Sequence, residues 1–548
     1  MKDKNEWRVI GPPGTGKTTF LAKQLTRAVE AGRRPMVTSL TRSAAYEIAS
    51  RMEFSFDFAP DQVGTLHAHC YRALHRPSLI ESEDQIEDWN KNYAVKNPAW
   101  SLSTDVFMKD KGGGDGRKGF GIGNDIYLAA NSLRAKMTPP DLWPIEVASF
   151  HKKFSEWKLA SGLHDFTDLV ELCLKDVEKS PLEPDVVFVD EAQDHDRLEL
   201  SLVRKWAAAA EQLVVCGDPD QNLYEFRGAE PEAFYAGEMP EKQYIVLKQS
   251  YRVPRKVHAE AVNMIRRIAG RRNVEYLPKD EPGEVIRAHL RLRQAREVVD
   301  KVIAEAESGR TVMALASCEY MLAQIIQQLR FAGVPFHNPF APQRGQFNPL
   351  GDRGGVTAPQ RLLAFLRISE TYFGNEARLW TWGELAAWID PVKVDGLLRR
   401  GAKAKIAEMG ENFPEQIADA EALRELGGEP GEGNLIGELD SIEADPIGWY
   451  TRRLNASRGK SFEYPTAILK RHGVKGLKEP PRIIPGTIHS VKGGEADSVF
   501  LFPDLSPEAA EQQHIKPASI HRLFYVGMTR AIERLYLCNN SGPMAVRW

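Results

Sequence analysis

The segment GPPGTGKT, residues 11–18, constrains the fold of this chain more than any other. It follows a short apolar run, WRVI, and precedes TFLAKQLTRAVEAG, where apolar residues recur at helical spacing and Gly32 is suited to end a helix. A strand, a glycine-rich loop and a helix in this order form the setting in which G-x-x-x-x-G-K-[ST] binds phosphate. We therefore predict a P-loop core, with a parallel sheet covered by helices on both faces.

The residue types of this loop suit a nucleoside triphosphate with its magnesium ion. Glycines let the backbone turn tightly and direct N–H groups at phosphate oxygens, and the following helix N-terminus favours negative charge. Lys17 is predicted to reach the β- and γ-phosphates, and the Thr18 hydroxyl to bind Mg²⁺. The predicted nucleotide-binding set here is Gly11, Gly14, Thr15, Gly16, Lys17, Thr18 and Thr19. The alternative is a chance glycine-rich turn, which the flanking strand and helix disfavour.

A second carboxylate-bearing motif, DVVFVDEAQD, covers residues 185–194. Asp190 follows a buried apolar run, so it is predicted to lie at the carboxyl end of a strand and to bind Mg²⁺. Glu191 is predicted to be the general base that polarises the attacking water. Paired carboxylates at a strand end are often only solvated, but the upstream P-loop favours the catalytic interpretation.

Composition narrows the class of protein less sharply. The chain has 548 residues, of which 42% are hydrophobic and 27% charged, enough for several packed cores. The net charge of −3 neither indicates nor excludes a nucleic-acid binder. Five widely spaced cysteines argue against a zinc site or a disulfide framework. Without a run of about 20 apolar residues or a signal peptide, the chain is predicted to be cytoplasmic, with no membrane partner.

Apolar strand runs alternate with helical patterns in two parts of the chain, and each part is interrupted by a stretch of different character. The predicted fold class is therefore α/β, with two P-loop-like cores, each carrying an inserted, mainly helical subdomain. The predicted boundaries are 1–75 and 151–235 for the first core, 76–150 for its insertion, 236–344 and 482–548 for the second core, and 345–481 for its insertion.

Six segments resemble, in order, the motifs of superfamily 1 DNA helicases, most of all the UvrD/Rep/PcrA group. They are GPPGTGKT, VDEAQD, GDPDQNLYEFRGA (217–229), QSYR (249–252), GTIHSVKGGEAD (486–497) and YVGMTRAIERL (525–535). TSLTRSAAYEI (38–48) and VGTLHAHCYRAL (63–74) resemble two DNA-contacting motifs of the same family. The resemblance implies two RecA-like cores that use ATP and Mg²⁺ to move along single-stranded DNA and to unwind duplex DNA in the 3′→5′ direction.

The resemblance also implies roles for individual residues. Gln221, at a strand end beside the carboxylates, would sense the γ-phosphate, and Arg252 and Arg530 would be arginine fingers. Tyr251 would stack on adenine, with Glu495 contacting the sugar and Gly493 beside it. The implied DNA contacts are Leu40, Thr41, Arg42, Thr65, His67, Tyr224, Phe226, Arg227 and His489. Lys492 would link the phosphate state to strand binding.

Each of these assignments has a simpler alternative. An arginine is most often in a surface salt bridge, a tyrosine in a core, and a threonine or histidine in a helix cap or a buried polar pair. The implied partners are single-stranded DNA and single/double-strand junctions, but an RNA helicase, a helicase of opposite polarity, or a DNA-stimulated ATPase switch remain open. No glutamine precedes Gly11, although relatives use one there to recognise adenine, so base selectivity also remains open.

Overall fold

The structure is a computed structural model that describes residues 5–40, 42–52, 58, 62–108, 121–237, 239–341, 345–351, 354–371, 379–427 and 434–548. The chain forms two compact units. The first comprises Met1–His289, Leu315–Glu319 and Thr487–Trp548, and the second comprises Leu290–Ala314 and Tyr320–Gly486. Within the described part of the chain, no helix is both long enough and apolar enough to cross a bilayer.

A six-stranded parallel sheet forms the centre of the first unit. Its strands are β1 (Glu6–Ile10), β2 (Pro35–Ser39), β3 (Val63–Thr65), β4 (Val186–Val189), β5 (Gln212–Gly217) and β6 (Tyr244–Val246). Their order is β3-β2-β4-β5-β1-β6, and every registered pair is parallel. The carboxyl ends of the strands share one edge, so the loops after β1, β4 and β5 meet there.

Helices cover both faces of this sheet, as the sequence predicts. The covering helices are α1 (Lys17–Glu30), α2 (Arg42–Ser50), α3 (Leu66–Ala73), α8 (Phe166–Asp176), α9 (Arg197–Trp206) and α10 (Pro231–Tyr235). Between α3 and α8 the chain forms α4 (Glu83–Trp89), α5 (Asp105–Met108), α6 (Ile122–Ala135) and α7 (Ile145–Ser161), which pack around a separate apolar cluster. Leu25 and Phe188 belong to the apolar cluster on one face, and Leu66 and Trp206 to the cluster on the other. Burial on both faces explains why the strands are continuous apolar runs.

A cluster of buried charges joins α6, α7 and the start of α8. The Arg134 guanidinium contacts the carboxylates of Asp165, Asp168 and Glu171 at 2.6–3.0 Å, and Lys158 contacts Asp165 at 2.6 Å. Burial raises the pKa of Asp165, but the charges of Arg134 and Lys158 outweigh it and hold that pKa well below its ordinary value. The helix α7 crosses residue 150, one of the predicted boundaries, and the division into four parts stays a prediction.

The later strands are β7 (Gln249–Pro254), β8 (Leu277–Lys279), β9 (Glu284–Ala288), β10 (Val312–Ala316), β11 (Ile483–Thr487), β12 (Ala496–Leu501) and β13 (Ala531–Cys538). In the first unit β7 pairs with β8, and β13 lies between β9 and β12 in parallel register. The end of β10 also lies in this unit, where the Leu315 carbonyl accepts a hydrogen bond from Phe502 N. The helices here are α11 (Arg255–Ile265), α22 (Pro507–Ile515) and α23 (Pro517–Met528).

The second unit is mainly helical. Its helices are α12 (Ala295–Glu307), α13 (Ala323–Phe331), α14 (Ala358–Thr371), α15 (Trp382–Ile389), α16 (Ala402–Asn412), α17 (Ala420–Glu425), α18 (Leu439–Ala444), α19 (Pro446–Arg452), α20 (Gly459–His472) and α21 (Lys475–Lys478). Phe365, Trp380, Trp388, Trp449 and Tyr450 form an aromatic core, in which the Trp380 and Trp388 rings are 4.8 Å apart. The predicted α/β fold with helical insertions is confirmed.

Candidate nucleotide site and strand-binding surface

The glycine-rich loop lies at the carboxyl end of β1. Gly11 N donates a hydrogen bond to the Gly217 carbonyl at the end of the neighbouring β5. Gly14 and Gly16 have φ angles of +73° and +80°, in the left-handed region that favours glycine. A Cβ at Gly14 would also lie 2.5 Å from the Cβ of Arg252, so a side chain there would push β7 away from the loop.

The loop and the first turn of α1 present donors that a phosphate can accept. Gly16 caps α1 without a side-chain hydrogen bond, so the cap leaves the first N–H groups of this helix to other acceptors. Lys17 lies across the loop, where its Nζ donates to the Gly11 carbonyl at 2.8 Å. Thr18 and Thr19 follow in the first turn, and Thr15 Oγ1 donates to the Pro12 carbonyl.

The carboxylates of Asp190 and Glu191 lie after β4, at the same sheet edge as the loop. Glu191 has a φ of 49°, rare for a residue with a side chain, and its N–H donates to Asp190 Oδ1 at 2.9 Å. Burial, and then the neighbouring Glu191 charge, raise the pKa of Asp190 to about 7. Burial also raises the pKa of Glu191, but Lys492 and Lys17 outweigh it and lower that pKa to about 2.

These donors fit a magnesium ion. Asp190 is 2% exposed, and a buried carboxylate with a raised pKa is one whose charge a nearby cation would stabilise. A carboxylate and a threonine hydroxyl are the hard oxygen ligands that Mg²⁺ prefers, with the remaining positions filled by water and phosphate. Asp190 and Thr18 therefore remain the proposed protein ligands.

Arg530 and Gln221 meet directly. The Arg530 Nη2 donates to Gln221 Oε1 at 3.1 Å, while Gln221 Nε2 donates to Asp218 Oδ2 at 2.7 Å. Arg530 is 1% exposed, which excludes the surface salt bridge that was its simpler alternative. Burial, and then the charge of Arg252, lower the pKa of Arg530 to about 9. A buried arginine beside another cation is suited to an anionic ligand.

Strand β7 connects the loop to the other predicted arginine. Tyr251 N donates to the Gly14 carbonyl at 2.8 Å, and the Tyr251 side chain is exposed rather than buried in a core. Arg252 Nε donates to the Glu495 carboxylate at 2.5 Å, so this arginine and the predicted sugar contact form an ion pair. Gly493, two residues before Glu495, has a φ of +86°.

Lys492 connects several of these groups. Its Nζ donates to the Asp194 carboxylate and, at 3.1 Å, to the Gln221 carbonyl, and it lies 3.8 Å from Glu191 Oε2. It also lies 5.4 Å from the centre of the Tyr224 ring. The solvated lysine that was the alternative is therefore excluded.

Three of the predicted strand-contacting side chains form an aromatic surface. The Phe226 ring lies 6.0 Å from the Tyr224 ring and 6.2 Å from the His489 ring, and its side chain is 56% exposed. The Arg227 guanidinium is 5.9 Å from the Tyr224 ring. Exposed aromatic rings next to cations are the usual means of holding single-stranded nucleic acid.

The other predicted strand contacts are less uniform. Thr65 caps α3, because its Oγ1 accepts a hydrogen bond from Ala68 N, and this matches its simpler alternative. The half-buried Leu40 follows β2 directly. Thr41 and the side chain of Arg42 lie outside the described residues.

The sequence reasoning missed a buried carboxylate between two imidazoles. Glu199 Oε2 lies 3.0 Å from His195 Nδ1, and Glu199 Oε1 lies 3.6 Å from His67 Nδ1. Burial raises the pKa of Glu199, but His195 and His67 lower it to about 2. Burial lowers the pKa of each imidazole; the Glu199 charge outweighs burial at His195, whose pKa is raised, but not at His67, whose pKa stays below its ordinary value. Asp196 followed three residues later by Glu199 is a capping-box pattern, the one signal that could have predicted a local role.

Comparison with known proteins places these motifs in one family. Residues 3–227 match the AAA domain, and residues 486–538 match the UvrD-like helicase C-terminal domain. The chain is 24% identical to the ATP-dependent DNA helicase UvrD2 of Mycobacterium tuberculosis, across 96% of this chain and 76% of that protein.

Two relatives from Bacillus subtilis match over shorter stretches. The ATP-dependent DNA helicase PcrA is 24% identical over 49% of this chain, and the putative ATP-dependent DNA helicase YjcD is 23% identical over 44%. These matches span 39% and 34% of the two relatives, so the chain covers well under half of their length. The first matched segment contains the P-loop and the carboxylates after β4. The second contains Gly493, Glu495 and Arg530. The chain belongs to the UvrD-like helicase family of superfamily 1.

Proposed function

We propose that this protein is an ATP-driven motor that moves along single-stranded DNA and separates duplex DNA, in the 3′→5′ direction. The contact between Arg530 and Gln221, next to the P-loop and the Asp190–Glu191 pair, is the observation that carries the proposal. It brings a cation and an amide to the sheet edge at which a triphosphate would end. The relatives' names, ATP-dependent DNA helicases, support the same activity.

The nucleotide would be held along the path from Tyr251 to the loop. The exposed Tyr251 ring can stack on the base, while the N–H groups of the loop and of the first turn of α1 bind the phosphates. Lys17 would exchange the Gly11 carbonyl for a phosphate oxygen. Thr18 and Asp190 would hold Mg²⁺, which would neutralise part of the phosphate charge.

Glu191 is proposed to accept the proton of the attacking water. Its lowered pKa means that the carboxylate is ionised at neutral pH, the form that can accept a proton. Arg252 and Arg530 would stabilise the charge that develops on the γ-phosphate, as arginine fingers do. The Gln221 side chain accepts a hydrogen bond from Arg530, and its backbone carbonyl accepts one from Lys492. A shift of Gln221 on loss of the γ-phosphate would therefore change the contacts of both cations.

Strand binding is proposed for the surface formed by Tyr224, Phe226 and His489. Bases would stack on the Phe226 ring, while Arg227, His67 and the segment that follows β2 would contact the phosphates. Lys492 contacts the Tyr224 ring and lies 3.8 Å from Glu191 Oε2, so one side chain contacts both the strand surface and the proposed general base. A side chain in this position can link ATP hydrolysis to a change in how tightly the strand is bound.

A measurement of ATP hydrolysis without polymer, with single-stranded DNA and with RNA tests this proposal. We expect strong stimulation by single-stranded DNA, weaker stimulation by RNA, and displacement of a labelled strand from duplexes with 3′ but not 5′ tails. Stimulation without strand displacement would identify a strand-gated ATPase instead, and unwinding of only the 5′-tailed duplex would reverse the polarity. No hydrolysis under any of these conditions would refute the proposal.

A further inference from the structure

Glu199 occupies an unusual position between two functional regions of the first unit. It is the third residue of α9 and is 5% exposed, yet it carries a carboxylate. Its backbone N–H donates to Asp196 Oδ1 at 2.8 Å, and its Oε2 accepts from Asp196 N at 3.1 Å, so the helix N-terminus fixes the side chain. The two carboxylate oxygens then face different imidazoles.

One of these imidazoles belongs to the hydrolytic loop. His195 is 1% exposed, its Nδ1 is 3.0 Å from Glu199 Oε2, and its Nε2 is buried with no hydrogen-bond partner among the described residues. It follows the short turn Ala192–Asp194, which begins directly after Glu191. The Asp194 N–H donates to the Glu191 carbonyl at 2.9 Å, so the backbone from Glu191 to His195 is a single tight turn.

The other imidazole belongs to the proposed strand-binding surface. His67 is the second residue of α3, two residues after the Thr65 cap, and about a third of its side chain is exposed. Its Nδ1 lies 3.6 Å from Glu199 Oε1, close enough for electrostatic attraction but longer than a good hydrogen bond. The Phe166 ring meets the His67 ring edge-on at 5.7 Å and limits its movement on that side.

We propose that Glu199 is a positioning residue that couples strand binding at His67 to the placement of the Glu191 loop through His195. The inference rests on the proposed function, because it assumes that His67 contacts a strand. In a buried site a carboxylate interacts strongly with each cationic or hydrogen-bonding neighbour. When a strand phosphate attracts His67, Oε1 loses that neighbour, the carboxylate pairs more completely with His195, and the turn that carries Glu191 is fixed.

The substitution Glu199→Gln tests this coupling with little change of shape. A glutamine oxygen still accepts a hydrogen bond from Asp196 N and preserves the cap, but the charge that attracts both imidazoles is removed. We expect stimulation of ATP hydrolysis by single-stranded DNA to fall by about 5- to 150-fold, the usual range of coupling between two sites, with unstimulated hydrolysis within about twofold of wild type. Glu178→Gln is the matched control. Glu178 is exposed and pairs at 3.1 Å with Lys205, which lies on α9, the helix that contains Glu199.

A double-substitution cycle separates coupling from a structural role. If Glu199 acts through His67, adding Glu199→Gln to His67→Ala will not lower the stimulation ratio further. His195→Gln, which keeps a donor toward Glu199 but cannot become charged, should lower the ratio in the same way and serves if Glu199→Gln does not fold. An unchanged ratio in either folded variant, or equal losses of stimulated and unstimulated hydrolysis, would overturn the inference. A wild-type enzyme that hydrolyses ATP but shows no stimulation would overturn the proposed function as well.

Discussion

The two units of the molecule bury different kinds of side chain. Near the sheet edge of the first unit lie buried ionisable groups, among them Asp190, Glu199 and Arg530. Within the described residues of the second unit, Glu305 is the one charged residue that is buried, and the core contains Trp380 and Trp388 instead. A buried charge destabilises the folded state unless it is paired, whereas a buried aromatic ring stabilises it.

The difference fits the proposal that catalysis takes place in the first unit. Ion pairs in a low-dielectric interior contribute little net stability, but they fix geometry and respond strongly to an added charge such as a phosphate. Aromatic packing has no such response. We therefore expect substitutions in the first unit to change rates and pH dependence, and substitutions in the core of the second unit to change the free energy of unfolding.

The largest expected effect is on turnover. Glu191→Gln should lower the rate of ATP hydrolysis by about 10²–10⁴-fold, the usual contribution of a general base, because the amide cannot accept the proton of water. Nucleotide affinity, measured by equilibrium titration with a fluorescent ATP analogue, should remain. Glu87→Gln, at an exposed site paired with Lys91, is the control. Near wild-type turnover in Glu191→Gln would remove Glu191 from the proposed mechanism.

A smaller effect, on stability rather than rate, is expected in the second unit. Trp388 is fully buried, and Trp388→Ala should lower the free energy of unfolding by about 3–5 kcal/mol through lost contacts and a cavity. Urea unfolding followed by circular dichroism measures it, with Trp388→Phe as the milder control. If the hydrolysis rate of the folded variant fell as far as that of Glu191→Gln, the proposed separation between the units would be wrong.

The smallest expected effect is on the pH dependence of the free energy of unfolding, and it comes from the first unit. Because the folded state lowers the pKa of Asp165, its stabilising contribution is complete above the unfolded pKa and is lost as the pH falls through the acidic range. The free energy of unfolding, measured with urea at pH 6 and at about pH 3.5, should therefore fall more in wild type than in Asp165→Asn as the pH is lowered. Equal losses in both proteins would mean that the cluster around Arg134 contributes nothing to acid sensitivity.

Short-range pattern predicted much of the nucleotide-site architecture. The apolar run after Arg34 becomes β2, and the run before Asp190 becomes β4, because a strand buried on both faces has few alternatives. The resemblance also named Gln221 and Arg530, which the structure brings into contact although they are far apart in sequence. Their roles in hydrolysis stay predictions, as do those of the strand-contacting residues.

Long-range pairs between ordinary residues could not be predicted. Glu199 looks like a helix-capping glutamate, and only the packing of α3 against α8 and α9 reveals that it faces His67. Arg134 looks like a surface arginine at a helix end, and its burial among three carboxylates depends on how α6, α7 and α8 pack. Periodicity shows which face of a helix is buried but not which charged partners meet there.

The left-handed backbone at Glu191 has a consequence for how this site tolerates change. In a continued strand, adjacent side chains would point to opposite faces of the sheet, so Asp190 and Glu191 could not share one cavity. The φ of 49° breaks that alternation within a single peptide unit and keeps both carboxylates at the same edge. A β-branched replacement such as Glu191→Val would therefore lose the carboxylate and also resist the bend, misdirecting its untouched neighbour.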